Sequence, residues 1–167
     1  PIGAIIARAH VYDTIVGGTG YFQHGHTYTG HLTACATALA VQKAIKEEGM
    51  LENVRRRGEE LRDALEDRFG NHHHIGNIRG RGLFLAMEFV QDRASKQPLP
   101  SEARFAARLK EAALEHGLMC YPMGGLIDGT LGDHVMLAPP FNIDGAHVGE
   151  ITDKLGRAVD QVMAEVA

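Results

Sequence analysis

Residues 24–31, with the sequence HGHTYTGH, contain the side chains best suited to chemistry. They combine imidazoles with the hydroxyl groups of Thr27, Tyr28 and Thr29, and they lead directly into a helical pattern. The first N–H groups of a helix have no partner within the helix and lie at its positive end, so they can bind an anion such as a phosphate. Threonine is also a common helix cap, and the local chemistry favours capping by Thr29 over phosphate binding.

The elements around this segment are predicted from its flanks. Apolar and small residues repeat at threes and fours through residues 32–43, which indicates a helix that begins near residue 29. The glycine-rich residues 11–25 predict a loop, and the apolar residues 1–8 predict a buried strand. Cys35 lies among small residues of the helix and is expected to be a buried thiol, which suits a reducing cytoplasm.

The rest of the chain predicts a small sheet covered by helices. An amphipathic helix is expected from about Met50 to Phe69. The later predicted elements are a strand in 75–90, a helix over 102–116 capped by Ser101, short strands at 118–121 and 134–137, and a final helix capped by Asp144. We therefore expect residues 1–46 to be the end of a larger domain, and residues 47–167 to form a small α+β domain that includes the linking helix.

Composition and charge argue against several classes of protein. Hydrophobic residues make up 44% and charged residues 23% of the 167 residues, as in ordinary globular domains. The formal net charge is -4, and the single tight basic run, residues 55–57, is expected to be a solvated helix face, so no nucleic-acid partner is predicted. No apolar run is long enough to span a membrane and no signal peptide is visible, so a cytoplasmic protein is expected.

The histidines raise the possibility of a metal site. His24 and His26 are separated by one residue, and residues 72–74 are three consecutive histidines. Zinc sites need ligands that converge on one point and are held there by a second layer of contacts. Three adjacent side chains on a loop cannot all point in one direction, so no metal site is predicted.

Several segments, in order, resemble the class III (omega-aminotransferase-like) family of pyridoxal-phosphate-dependent aminotransferases. Residues 22–36 resemble the family's motif that follows the lysine holding the cofactor, and residues 1–4 resemble the segment just after that lysine. Residues 78–84 (IRGRGLF) resemble the Arg-Gly-x-Gly-Leu segment of the small domain, and residues 138–143 resemble its Pro-Pro strand near the C-terminus. The similarity extends over essentially the whole chain.

The resemblance implies a fold and a cofactor site. It implies the C-terminal part of an α/β, fold-type-I transferase, consisting of the end of the large domain and a small sheet covered by helices. In the family, the threonine that matches Thr27 hydrogen-bonds the phosphate of pyridoxal phosphate held by the neighbouring subunit. The residue that matches His26 lies beside that phosphate and the substrate entrance. The resemblance therefore implies a homodimer with a shared active site, and amine and keto acid substrates.

The Schiff-base lysine of the family precedes the segments that this chain matches. All five lysines, namely Lys43, Lys46, Lys96, Lys110 and Lys154, lie on polar helix faces or in a loop. We therefore expect no catalytic residue in the chain, and a C-terminal fragment that is inactive alone. Since the chain starts at Pro1 inside an apolar segment, truncation is expected. The alternative is a stand-alone, non-catalytic dimerisation or regulatory module, which a native gene product beginning near residue 1 would favour.

The substrate is less well defined by the sequence. Family members that bind an α-carboxylate often carry an arginine just before the Pro-Pro strand, where this chain has Val135-Met136-Leu137. This difference indicates an amine or omega-amino acid donor, or an arginine placed elsewhere. Arg79 and Arg81 are expected to pair with carboxylates or carbonyls as structural residues. An aminomutase, an epimerase or a decarboxylase remains possible, because the same cofactor serves these reactions.

Overall fold

The computed structural model describes residues 2–166, and the chain divides into two compact units. Residues up to Glu48 form the first unit, and residues from Gly49 onward form the second. Within the described residues, no helix combines the length and the apolar character needed to cross a membrane.

The first unit consists of two helices, α1 (Ala9–Thr19) and α2 (Leu32–Glu47), and neither contains a buried residue. The strand predicted for residues 1–8 is wrong where it can be compared, because residues 2–8 have no regular structure and are exposed, while Pro1 lies outside the described residues. The loop predicted for residues 11–25 is also wrong over its first part, which belongs to α1. A helix bonds its backbone groups locally, whereas a strand needs a neighbouring strand, and the described part of this unit contains none.

The thiol of Cys35 is exposed, contrary to the prediction of a buried cysteine. The small residues around it do form a helix, α2, but no described residue of this unit packs tightly enough on α2 to bury any of its side chains. Cys120, in the second unit, is partly buried, and burial raises the pKa of its thiol to about 11. The thiol of Cys120 is therefore less accessible than that of Cys35, and it is less acidic than an ordinary cysteine thiol.

This difference predicts two distinct rates of reaction with a thiol reagent. In the native chain at neutral pH, Cys35 should react fast, while Cys120 should react at least about tenfold more slowly because the thiolate is the reactive form. A stopped-flow assay with a disulfide reagent measures both phases. Cys35→Ser should remove the fast phase and Cys120→Ser the slow one, and denaturation should merge the two phases. Equal rates in the native chain would contradict the assignment.

The second unit contains three helices and a four-stranded antiparallel sheet. The helices are α3 (Met50–Phe69), α4 (Phe105–Glu115) and α5 (Gly145–Val166), and the strands are β1 (Ile75–Arg81), β2 (Phe84–Phe89), β3 (Tyr121–Met123) and β4 (Asp133–Leu137). The order across the sheet is β1-β2-β4-β3. The small sheet with helices on one side agrees with the predicted fold class.

The helices cover one face of the sheet. Alternate residues of β2 and β4 point into the core formed with α3, α4 and α5, and these residues are Leu85, Met87, Phe89, Val135 and Leu137. The rings of Phe89 and Phe105 have centroids 4.5 Å apart, which ties β2 to α4. On the opposite face of the sheet, Phe84 and Tyr121 are each 59% exposed. One side of the sheet is therefore a packed core and the other is open.

Most element boundaries agree with the periodicity of the sequence, and the differences have local causes. The predicted bounds of α3 are confirmed, and Asp144 caps α5 by accepting a hydrogen bond from the backbone N–H of His147 (3.1 Å). Residues 75–90 form a hairpin of two strands rather than one strand. Ser101 does not cap α4; residues 101–103 form a short 3-10 turn, and the carboxylate of Asp133 accepts from the N–H of Ala106 (3.1 Å) instead.

Helix α3 holds two loops of this unit in place. The side-chain amide of Asn53 donates to the carbonyl oxygens of Phe141 and Ile143, both at 2.8 Å, and so fixes the loop after Pro139-Pro140. One turn further along, Gly58 lies against the turn between β1 and β2, where an added Cβ would be 2.4 Å from the carbonyl carbon of Gly82. The absence of a side chain at Gly58 is what allows α3 to lie so close to the hairpin.

Candidate cofactor-binding site

A tight turn at residues 26–29 forms the centre of the candidate site. The backbone N–H of His26 donates to the hydroxyl oxygen of Thr29 (3.0 Å), and the N–H of Thr29 donates to the carbonyl of His26 (2.9 Å). The N–H of His31 donates to the carbonyl of Tyr28 (3.1 Å), and Gly30 adopts a positive φ of 76° that favours glycine. All of these contacts lie within residues 26–31, so they fix the backbone of the segment locally.

Helix α2 is capped by His31, not by Thr29. The imidazole Nδ1 of His31 accepts the N–H of Ala34 (3.3 Å), and its carbonyl accepts the N–H of Cys35 (2.9 Å). The predicted capping by Thr29 is wrong because its hydroxyl is used inside the turn. A histidine cap is not indicated by the usual sequence signals, because serine, threonine, aspartate and asparagine are the common capping residues.

The N-terminus of α2 retains free donors. Within residues 2–166, the backbone N–H groups of Leu32 and Thr33 have no hydrogen-bond acceptor. Both residues contribute to the lining of a cleft of about 420 Å³ formed by residues 27–33. Two free N–H groups at the positive end of a 16-residue helix are suited to an anion.

The two predicted cofactor-binding residues lie at adjacent positions in the turn. Thr27 lines the cleft, and its exposed hydroxyl has no hydrogen-bond partner within the described residues. His26 is also exposed, and its ring lies edge-on to that of His24 with centroids 5.5 Å apart. Hydroxyl, imidazole and backbone N–H groups are all donors to phosphate oxygens, so the residues present fit the phosphate of pyridoxal phosphate.

The cleft has donors but no strong positive charge. None of its lining residues is a lysine or an arginine. A phosphate bound there would be held by hydroxyl and backbone N–H donors of the lining residues.

None of the five lysines is buried in the structure. Lys43 lies 3.8 Å from Glu47, and Lys154 lies 3.4 Å from Glu150, as in ordinary ion pairs one helical turn apart. The ammonium group of Lys96 donates to the carbonyl of Gly76. These lysines are engaged with carboxylates or a backbone carbonyl, whereas a lysine that forms a Schiff base has to be free to react with the aldehyde of the cofactor.

Arg79 has a structural role, as predicted. Its guanidinium donates to the carboxylate of Glu88 (2.8 Å) across the β1–β2 pair. Arg81, in contrast, makes no side-chain hydrogen bond within the described residues. Within residues 2–166, no three His, Cys, Asp or Glu side chains are grouped closely enough to hold a metal ion.

Comparison with known proteins gives a consistent picture. The family described as Aminotransferase class-III matches residues 1–159. An aminotransferase of Gibberella zeae is 42% identical over 161 residues, which cover 95% of this chain and 31% of that protein. A diaminobutyrate--2-oxoglutarate transaminase of Halomonas elongata is 32% identical over 165 residues, covering 97% of this chain and 34% of that protein.

Solved structures show the same similarity in three dimensions. A PLP-bound aminotransferase mutant from Vibrio fluvialis superposes with a TM-score of 0.79 at 35% identity, and it covers 93% of this chain and 32% of that chain. A PMP-bound form from the same organism gives 0.77. The chain thus spans about a third of the length of the proteins it matches.

Proposed function

The chain belongs to the class III aminotransferase family, and we propose that it is the C-terminal portion of an enzyme that moves an amino group from an amine or amino acid to a keto acid. The observation that carries this proposal is the turn at residues 26–29, which leads to two N–H groups at the start of α2 that have no acceptor among residues 2–166. Pyridoxal phosphate, when bound, supplies the electron sink for the reaction. The residues of this chain would bind and orient its phosphate.

Thr27 and His26 are the residues proposed to do so. The hydroxyl of Thr27 lies at the cleft and has no hydrogen-bond partner among residues 2–166, and His26 is the preceding residue of the turn. Because the cleft contains no cation, we propose that the phosphate is shared with a second subunit of a homodimer, whose lysine holds the cofactor. The chain alone is then expected to be inactive.

The proposed donor is an amine or an omega-amino acid, with a keto acid as the acceptor. Relatives that are 32% identical include a diaminobutyrate--2-oxoglutarate transaminase and a gamma-aminobutyrate transaminase, and omega transaminases are among the similar solved structures. At β4, the residues before Pro139 include Met136, whose thioether cannot form the bidentate contact that arginine makes with a carboxylate. This difference argues against a donor held at that point by its α-carboxylate.

A chimera tests the proposed function. The segment of the Gibberella zeae aminotransferase that aligns with this chain would be replaced by the part of this chain to which it aligns. We expect the purified chimera to bind pyridoxal phosphate and to convert an amine and pyruvate to products, while the 167-residue chain alone does neither. A chimera that folds and binds the cofactor without turnover of any amine or amino acid would favour a non-catalytic module.

A further inference from the structure

Three consecutive histidines form the turn between α3 and β1, and His72 is the one with a defined role in the turn. Its backbone N–H donates to the carbonyl of Phe69 (2.9 Å), at the end of α3. Its ring Nδ1 accepts the backbone N–H of His74 (3.1 Å). A ring nitrogen that accepts a hydrogen bond carries no proton, so His72 is neutral in this arrangement, with its proton on Nε2.

His74 connects this turn to the end of the sheet. Its carbonyl accepts the N–H of Val90 (2.9 Å), and its own Nδ1 lies 3.1 Å from the carbonyl oxygen of Val90. Because a carbonyl oxygen only accepts, Nδ1 of His74 must be the donor. The path from His72 through His74 to Val90 therefore joins the end of α3 to the last residues of the β1–β2 hairpin.

The groups that face His72 do not favour a positive charge there. Burial lowers the pKa of His72, and His74, Arg68 and His73 lower it further, whereas Asp160 of α5 raises it. Asp160 is already hydrogen-bonded to the guanidinium of Arg68, which limits what it can offer an imidazolium. The ring of His72 also lies 6.3 Å from that of the fully buried Phe69, in an edge-on contact.

We propose that His72, His74 and Val90 form an acid-sensitive clasp, which holds α3 and the β1–β2 hairpin together at neutral pH and opens when His72 takes up a proton. A protonated Nδ1 can no longer accept from the N–H of His74, and the two N–H groups would face each other. The ring must then turn towards solvent, which uncovers the edge of Phe69. The clasp borders a cavity of about 490 Å³ that includes His73, His74 and Leu99 in its lining, so opening would widen this cavity.

The direction of the pH dependence follows from the two states of the chain. In the folded state the pKa of His72 is lower than the ordinary value of about 6.5 that it regains on unfolding. The clasp therefore contributes fully above that ordinary value, and its contribution is lost as the pH falls towards the folded pKa. Between the two values, each fall in pH raises the unfolding equilibrium constant, by at most about tenfold per pH unit for a single group.

The proposal is tested with His72→Asn in the 167-residue chain. The asparagine carbonyl oxygen can take the place of Nδ1 as acceptor for His74, and it does not titrate. The matched control is His73→Asn, because the side chain of His73 is 64% exposed and its Nε2 lies 3.8 Å from Asp92. Urea unfolding, followed by circular dichroism, would be measured at about pH 7.5 and about pH 5.5.

We expect the free energy of unfolding of the unmodified chain and of His73→Asn to fall from about pH 7.5 to about pH 5.5. At the higher pH, His72→Asn should have nearly the same free energy of unfolding as the unmodified chain, and it should lose clearly less of it at the lower pH. Amide exchange of His74 gives a second, local readout, which does not depend on the variants. Its protection in the unmodified chain should fall with the same midpoint as the NMR titration of the His72 ring. The proposal would be overturned if His72→Asn lost as much stability as the unmodified chain. It would also be overturned if the protection of the His74 amide did not change as His72 titrates.

Discussion

Replacing Gly58 with alanine is expected to cost about 3 kcal/mol of unfolding free energy, at the upper end of what overpacking typically causes. The new Cβ would lie 2.4 Å from the carbonyl carbon and 2.6 Å from the Cα of Gly82, and both are backbone atoms. A flexible side chain could move aside, but Gly82 has a φ of 55° and belongs to the tight turn between β1 and β2. The substitution therefore has to push α3 away from the hairpin.

Gly149→Ala is the matched control for this substitution. Gly149 is also inside a helix, α5, but an added Cβ there would have no atom within 4 Å. The alanine should stabilise the chain by roughly 0.5–1 kcal/mol, because it reduces the freedom of the unfolded state without strain. Urea unfolding of both variants measures the difference. Equal midpoints for Gly58→Ala and Gly149→Ala would contradict the close approach of α3 to the hairpin.

Thr27→Val in the chimera should weaken pyridoxal phosphate binding by about tenfold or more. Valine has the same shape as threonine but cannot donate a hydrogen bond, and a bond to a charged group contributes about 1.5–3 kcal/mol. Since about 1.4 kcal/mol is a factor of ten in affinity, the loss is easily measured. The experiment is a titration of the cofactor-free chimera, followed by the absorbance of the bound cofactor.

The control for Thr27 is Thr37→Val. The hydroxyl of Thr37 donates to the carbonyl of Thr33 within α2 (2.8 Å). The Thr37→Val substitution therefore removes a threonine hydroxyl from α2 and leaves the residues that line the cleft unchanged. We expect unchanged cofactor affinity in this variant. Equal affinities for the Thr27 variant, the Thr37 variant and the unmodified chimera would remove Thr27 from the proposed phosphate site.

The second unit could be predicted well from the sequence because its patterns have partners within the chain. The stripe of Leu61, Leu65 and Phe69 predicts the buried face of α3, and all three side chains have no exposed surface. The division of residues 75–90 into two strands was missed, although Gly80 and Gly82 carry the signal. Their positive φ values of 141° and 55° permit the turn between the two strands. The alternation of apolar residues alone gives no indication of this turn.

The first unit was predicted less well, for one physical reason. The apolar residues 2–8 and the small residues around Cys35 have the patterns of buried elements, but both are exposed. Hydrophobic periodicity indicates which face should be buried, and it gives no information on whether the covering surface is present in the same chain. Among the first unit's described residues, no helix buries a side chain, so that surface is not provided.

The candidate site could be predicted in location but not in detail. The density of hydroxyls and imidazoles before a helix points to residues 24–31, and the turn and cleft lie there. The roles of Thr29 and His31 could not be assigned from sequence, because a threonine hydroxyl can cap a helix or close a turn, and only the backbone path decides between them. The assignments of Thr27 and His26 to a phosphate remain predictions.

The central claim is tested most directly by intact mass spectrometry of the 167-residue chain and of the chimera. Both proteins are first incubated with pyridoxal phosphate and then reduced with borohydride, because reduction makes a lysine–cofactor bond permanent. The claim that this chain is an aminotransferase portion without its own cofactor lysine predicts one added cofactor per chimera and none on the chain alone. A stoichiometric adduct on one of the five lysines of the chain alone would contradict it, and so would a folded chimera that gains no adduct.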